Sequence, residues 1–156
     1  MLNVASNLVE LLKARGLTCA TAESCTGGGV GSAITAVPGS SAVFAGGVIS
    51  YSNEVKRDVL GVSAEALERY GAVSPQVAEQ MADGARRLLR TDLAVSLTGI
   101  AGPDGGSDEK PVGLVWFGLS TRDGTRTEKA IFRGDRAQVR AQAVVHALGM
   151  LTIAAT

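Results

Sequence analysis

Residues 17–36 decide the fold class: Leu17-Thr18-Cys19-Ala20-Thr21-Ala22-Glu23-Ser24-Cys25-Thr26-Gly27-Gly28-Gly29-Val30-Gly31-Ser32-Ala33-Ile34-Thr35-Ala36. Leu17 to Thr21 is a short β-prone run. It leads through Glu23-Ser24-Cys25-Thr26-Gly27-Gly28 into a helix expected from about Gly28 to Ala36, which Pro38 stops. A strand that turns directly into a helix opens a βα unit. In open α/β sheets, ligands bind beyond the carboxyl ends of such strands.

The rest of the chain agrees with this opening. Upstream, residues 4–15 read as an amphipathic helix with Val4, Leu8, Leu11 and Leu12 on one face and Gly16 at its end. Downstream, Val43 to Tyr51 is β-rich, and Gly46-Gly47 inside it marks a bulge or a close approach. Asn53 to Leu60 is a short helix, and Ser63 caps Ala64 to Tyr70. Ser74-Pro75 starts a helix that runs to about Arg90, with Val77, Met81, Ala85, Leu88 and Leu89 inward. Leu93 to Leu97 and Val112 to Ser120 are strands separated by a long loop. Asp123-Gly124 turns the chain into a further strand, Arg126 to Phe132. Asp135 to about Ile153 is the last helix. The expected fold is a three-layer α/β/α sandwich with a mostly parallel, mixed sheet that includes one antiparallel hairpin strand. Residues 1–156 read as a single domain without repeats or linkers.

Composition narrows the function classes. Hydrophobic residues make up 46% and charged residues 19%, which excludes a disordered tail. The formal net charge is +0, so no global basic field is available to hold nucleic acid. No apolar run is long enough to span a membrane, and the N-terminal residues do not form a secretory signal. The expected location is the cytoplasm. Cys19 and Cys25 form neither a disulfide framework nor a metal motif, and His146 is the one histidine. No metal and no cofactor are expected.

Four stretches could carry chemistry. At Ser24-Cys25-Thr26 two hydroxyls and a thiol stand where a strand becomes a helix, beside backbone N–H groups of Thr26, Gly27 and Gly28 that could bind an oxyanion. A plain helix cap by Ser24 or Thr26 reads equally well. The second stretch is Tyr51-Ser52-Asn53-Glu54-Val55-Lys56. The chain has four lysines against eleven arginines. A lysine amine can lose a proton where a guanidinium cannot, so Lys56 could be a general base for a serine, with Tyr51 relaying or orienting the proton. The competing reading is a solvated helix lysine. The third is the loop from Gly99 to Pro111, in which Gly102, Gly105 and Gly106 suit backbone cradling of an anion or sugar. The fourth is Gly134-Asp135-Arg136 with Arg140 one turn on, where the two guanidinium groups on one helix face could hold a phosphate, Arg140 being the candidate for a substrate phosphate. Both arginines could equally face water. His146 borders an apolar face and reads as a packed histidine.

Taken together, Thr21 to Gly28, Tyr51-Ser52-Asn53, Gly71-Ala72-Val73-Ser74, Thr98 to Gly106, Lys110-Pro111-Val112-Gly113 and Gly134-Asp135-Arg136 with Arg140 closely resemble the CinA C-terminal domain family. That family includes nicotinamide-nucleotide amidases. The resemblance covers nearly the whole chain, in order. It implies hydrolysis of nicotinamide mononucleotide to nicotinic acid mononucleotide and ammonia, a salvage step of pyridine-nucleotide metabolism. It implies a three-layer α/β/α domain and a serine mechanism without histidine. The nucleophile matches Ser24 and the base matches Lys56, with Tyr51 in the same motif. Gly29 and Gly31 depart from many relatives by making the first helical turn smaller. Relatives with two domains carry an added N-terminal pyrophosphatase-associated domain, and that second activity is expected to be absent here. The family label refers to competence and DNA damage, yet nothing in this neutral chain favours direct DNA binding. The expected partner is a small nucleotide. A homo-oligomer is left open. The alternative is a non-catalytic nucleotide-binding or partner-binding module that keeps the loops. Intact Ser24 and Lys56 favour the amidase.

Overall fold

The computed structural model describes residues 1–156. Helix α1 (Leu2–Arg15) buries Ala5, Leu8, Val9 and Leu12 and ends at Gly16 in the left-handed conformation. Strand β1 is Cys19–Glu23, two residues later than the sequence reading placed it. Every one of its residues is buried, so no alternation of apolar and polar residues marks its register. Helix α2 is Gly29–Thr35, and β2 is Phe44–Ile49. The pairing of β1 with β2 shifts register between Cys19 and Ala20, which is the bulge that the glycines suggested.

Local capping sets the next three helices. Ser52 Oγ accepts the Val55 N–H ahead of α3 (Asn53–Asp58), and Ser63 Oγ accepts the Ala66 N–H ahead of α4 (Ala64–Tyr70). Ser74 Oγ accepts the Val77 N–H ahead of α5 (Pro75–Leu89). Leu88 of α5 is 51% exposed, contrary to the inward assignment. It has the angle of the buried face but lies beyond Ala85, the last buried residue of the helix, where Leu89 and not Leu88 packs against the core. Strand β3 is Leu93–Gly99, β4 is Leu114–Thr121 and β5 is Gly124–Ile131. Helix α6 (Arg136–Ala155) opens with a capping box between Asp135 and Gln138.

The sheet order is β2-β1-β3-β4-β5. Strands β2, β1 and β3 pair in parallel, and β4 pairs antiparallel with both β3 and β5. One strand thus runs against the other four, which is the mixed sheet expected. Helices α1, α2 and α6 cover one face, and α5 with α4 covers the other. On the first face Cys19, Val95, Leu97, Val115 and Phe117 join a core of 25 buried residues. On the second, β1 and β3 present Ala20, Ala22 and Ala94. These small side chains let α5 lie close. A Cβ on Gly118 would come within 2.4 Å of the Ala78 carbonyl oxygen of α5. The chain leaves β1 for β2 on one side and returns past β1 to β3 on the other. The carboxyl ends of β1 and β3 therefore form a topological switch point.

Candidate active site

Three parallel strands deliver the site. Ser24 follows β1, Tyr51 follows β2, and Thr98 lies near the end of β3. Ser24 N–H donates to the Leu97 carbonyl at 3.1 Å, extending the β1–β3 pairing by one residue. Ser24, Tyr51, Asn53, Lys56, Thr98 and Arg136 share a cavity of about 200 Å³. A larger concavity of about 650 Å³, around Asp92, Arg122 and Arg126, lies at the amino ends of β1 and β3, away from this chemistry.

Lys56 is only 1% exposed, on a helix whose other charged residues face outward. Its Nζ lies 3.2 Å from Ser24 Oγ and donates to the Tyr51 carbonyl at 3.1 Å. No carboxylate is paired with it. Burial holds the ammonium below the ordinary lysine range. A lysine driven towards its neutral form can accept the serine proton and leave an alkoxide-like nucleophile. Cys25, the neighbouring thiol, makes no such contact with Lys56, and burial pushes it up to about 11.

Tyr51 joins the site through its carbonyl oxygen, while its side chain is 64% exposed at the rim. Thr26 does not face the cavity. Its hydroxyl is buried and donates to Glu23 Oε1 at 2.7 Å. Gly27 N–H is taken by the Ser24 carbonyl, whereas the N–H groups of Cys25, Thr26 and Gly28 have no acceptor. These, and not Gly27, are the backbone donors of the turn left free to bind an oxyanion. Nor is the start of α2 free to hold a ligand. The Glu23 carboxylate already accepts the Val30 N–H at 2.8 Å and the Gly31 N–H at 3.0 Å.

The glycine loop meets the cavity at its start, where Gly99 and Ala101 line it. Gly105 and Gly106 are exposed and do not line it. Gly102 is buried and engages through its carbonyl, which accepts from Arg136 Nη1 at 2.8 Å. Arg140, the phosphate candidate, does not line the cavity. Its guanidinium donates to the carbonyls of Cys25 at 3.0 Å and Thr26 at 3.2 Å, bracing the nucleophile turn. Arg136, one turn earlier, is the arginine that lines the cavity. Sequence reading missed Glu23 and Thr98. A carboxylate at the end of a short strand, just before a glycine-rich helix start, was a usable signal for Glu23. Nothing comparable flagged Thr98, whose hydroxyl donates to the Ala72 carbonyl at 2.9 Å. His146 stacks on Phe117 at 4.2 Å and pairs with Glu128 at 2.9 Å, as a packed histidine. No three His, Cys, Asp or Glu side chains converge where they could hold a metal ion.

Gly29 and Gly31 have a steric reason. A Cβ on Gly29 would stand 3.0 Å from Val144 Cγ2, and one on Gly31 would stand 3.3 Å from Phe44 Cζ.

Fold and cavity together define a class: an α/β protein with a buried serine–lysine pair at the carboxyl edge of its parallel strands. The chain belongs to the CinA C-terminal domain family, whose model matches residues 1–154. It is 51% identical over 152 residues to the nicotinamide-nucleotide amidohydrolase PncC of Escherichia coli K12, covering 97% of this chain and 92% of that protein. It is 54% identical over 151 residues to a CinA-like protein of Parasynechococcus marenigrum, where the match spans 96% of this chain but 36% of the relative. The chain thus spans about a third of the length of such longer relatives. The crystal structure of the competence/damage inducible protein CihA from Agrobacterium tumefaciens superposes with a TM-score of 0.95 at 45% identity, covering 99% of this chain and 94% of that one. No helix is long and apolar enough to cross a membrane.

Proposed function

We propose that this chain, acting as one domain, hydrolyses the carboxamide of nicotinamide mononucleotide to nicotinic acid mononucleotide and ammonia. Ser24 is the nucleophile and Lys56 the base. The observation that carries the reading is the Ser24–Lys56 contact at 3.2 Å with the lysine buried and without a carboxylate partner. The substrate class rests on the similarity to PncC. It also fits a cavity that holds Lys56 and Arg136 and no acidic side chain, local positive potential in a neutral chain.

The chemistry balances without a further group. Lys56 takes the Ser24 hydroxyl proton as Oγ attacks the carboxamide carbon. The free N–H groups of Cys25 and Thr26 stand ready for the oxyanion. The C–N bond breaks as Lys56 returns the proton to the leaving nitrogen, and ammonia departs. Water, activated by the same amine, then cleaves the acyl-serine ester and leaves the carboxylate. Such a salvage step belongs in the cytoplasm. The test is ammonia release from nicotinamide mononucleotide by the purified chain and by Ser24→Ala. No release by the wild type removes the reading.

A further inference from the structure

Glu23 precedes the nucleophile and is 2% exposed, yet no cation pairs with it. Its two oxygens are fully engaged. Oε1 accepts the Thr26 hydroxyl at 2.7 Å and the Val30 N–H at 2.8 Å. Oε2 accepts the Thr21 hydroxyl at 3.2 Å and the Gly31 N–H at 3.0 Å. The Thr26 bond closes a ring across Ser24 and Cys25, joining the residue before the nucleophile to the second residue after it. The two amide bonds fasten that ring to α2. Gly47 makes room for the arrangement, because a Cβ there would lie 2.2 Å from Thr21 Oγ1.

We propose that Glu23 is a positioning residue whose carboxylate, through the Thr26 hydroxyl and the first turn of α2, fixes the Ser24 turn against Lys56. This rests on the reading of Ser24 as nucleophile. The geometry separates two halves of one carboxylate. Thr26 ties it to the nucleophile turn, whereas Thr21 lies within β1, on the far side of Glu23 from Ser24. Misplacing a reacting group by about 1 Å can cost on the order of 100-fold in rate.

The experiment compares Thr26→Val, Thr26→Ser and Thr21→Val, each of similar size to the residue it replaces. Steady-state kinetics with nicotinamide mononucleotide and labelling of Ser24 by a fluorophosphonate probe are read beside Tm. Thr26→Val should lower kcat about 10- to 100-fold with KM little changed, and slow labelling in proportion. Thr26→Ser, which keeps the hydroxyl, should restore both. Thr21→Val should lower Tm but hold kcat and labelling within about twofold of wild type. Equal kcat in Thr26→Val and wild type overturns the proposal, as does a rise in KM alone, which would make Thr26 a substrate contact. A wild type that labels at Ser24 but releases no ammonia sinks the substrate reading only, and the labelling series still decides the role of Glu23. A wild type that neither labels nor hydrolyses overturns both.

Discussion

Lys56 reaches Ser24 from the first turns of α3, and the other group its amine touches is a backbone carbonyl, that of Tyr51. A buried ammonium is ordinarily matched by a carboxylate. Here the matching group is missing and the nearest side chain is a hydroxyl. That pairing favours proton transfer over ion pairing.

Ser24→Ala should abolish ammonia release, by about 10⁴-fold or more, as expected when a covalent nucleophile is lost. The hydroxyl fills little core volume, so Tm should move by no more than a few degrees. Retained turnover would shift attention to another nucleophile.

Lys56 makes a prediction about pH. Its folded-state pKa lies below that of a free lysine, about 10.4. Between those two values the unfolded chain binds the extra proton, so stability rises with pH across that window. Below it, the folded protein carries a desolvated charge. Lys56→Met should therefore be inactive yet more thermostable than wild type at pH 7, with the difference shrinking as pH approaches 10. In the wild type kcat/KM should rise with pH to a plateau as the amine deprotonates. A wild-type profile flat from pH 6 to pH 9 would argue against Lys56 as the base.

The two arginines of α6 should separate kinetically. Arg136 lines the cavity and Arg140 binds the carbonyls of the nucleophile turn. A desolvated charge-assisted hydrogen bond is worth about 1.5–3 kcal/mol. Arg136→Ala should raise KM for the mononucleotide tenfold or more and erase most of the preference over the riboside. Arg140→Ala should mainly lower kcat and Tm. Comparison of kcat/KM for both substrates in both variants checks this.

Gly84 lies inside α5, where alanine normally gains about 1 kcal/mol of helix propensity. A Cβ there would stand 1.9 Å from the Leu60 carbonyl oxygen. Overpacking typically costs about 1–3 kcal/mol and more when backbone is hit. Gly84→Ala should lower Tm by several degrees, measured by thermal unfolding. A raised Tm would mean that α5 can move away freely.

Chelation is the simplest control. The proposed mechanism uses Ser24, Lys56 and backbone N–H groups, so exhaustive treatment with a strong chelator should leave kcat unchanged. Loss of activity restored by one added metal would contradict it.

Much of the fold could be read because its boundaries are chemically local. Ser63 and Ser74-Pro75 mark the starts of α4 and α5 through hydroxyl-to-amide bonds between near neighbours. Strand β1 was harder. With both faces covered it shows no period, and Glu23 looks like a break until its carboxylate finds the α2 amides. Leu88 shows a related limit, since periodicity places both Leu88 and Leu89 on the inward side of α5 but does not tell which of them the core receives. In the site, Ser24 and Lys56 were legible as residue types in suitable contexts. The side-chain partners of Arg140 and Thr26, a carbonyl pair and a carboxylate, are fixed by tertiary packing, which spacing does not encode.

The state of the thiols has a consequence for where such a catalyst can work. Cys25 adjoins the nucleophile, and burial drives it up to about 11, while Cys19 is driven up to about 12. Both remain thiols at neutral pH, and peroxides and electrophiles react with thiolates. On the proposed chemistry the reacting pair is an oxygen and an amine, which insulates turnover from the redox poise of its surroundings.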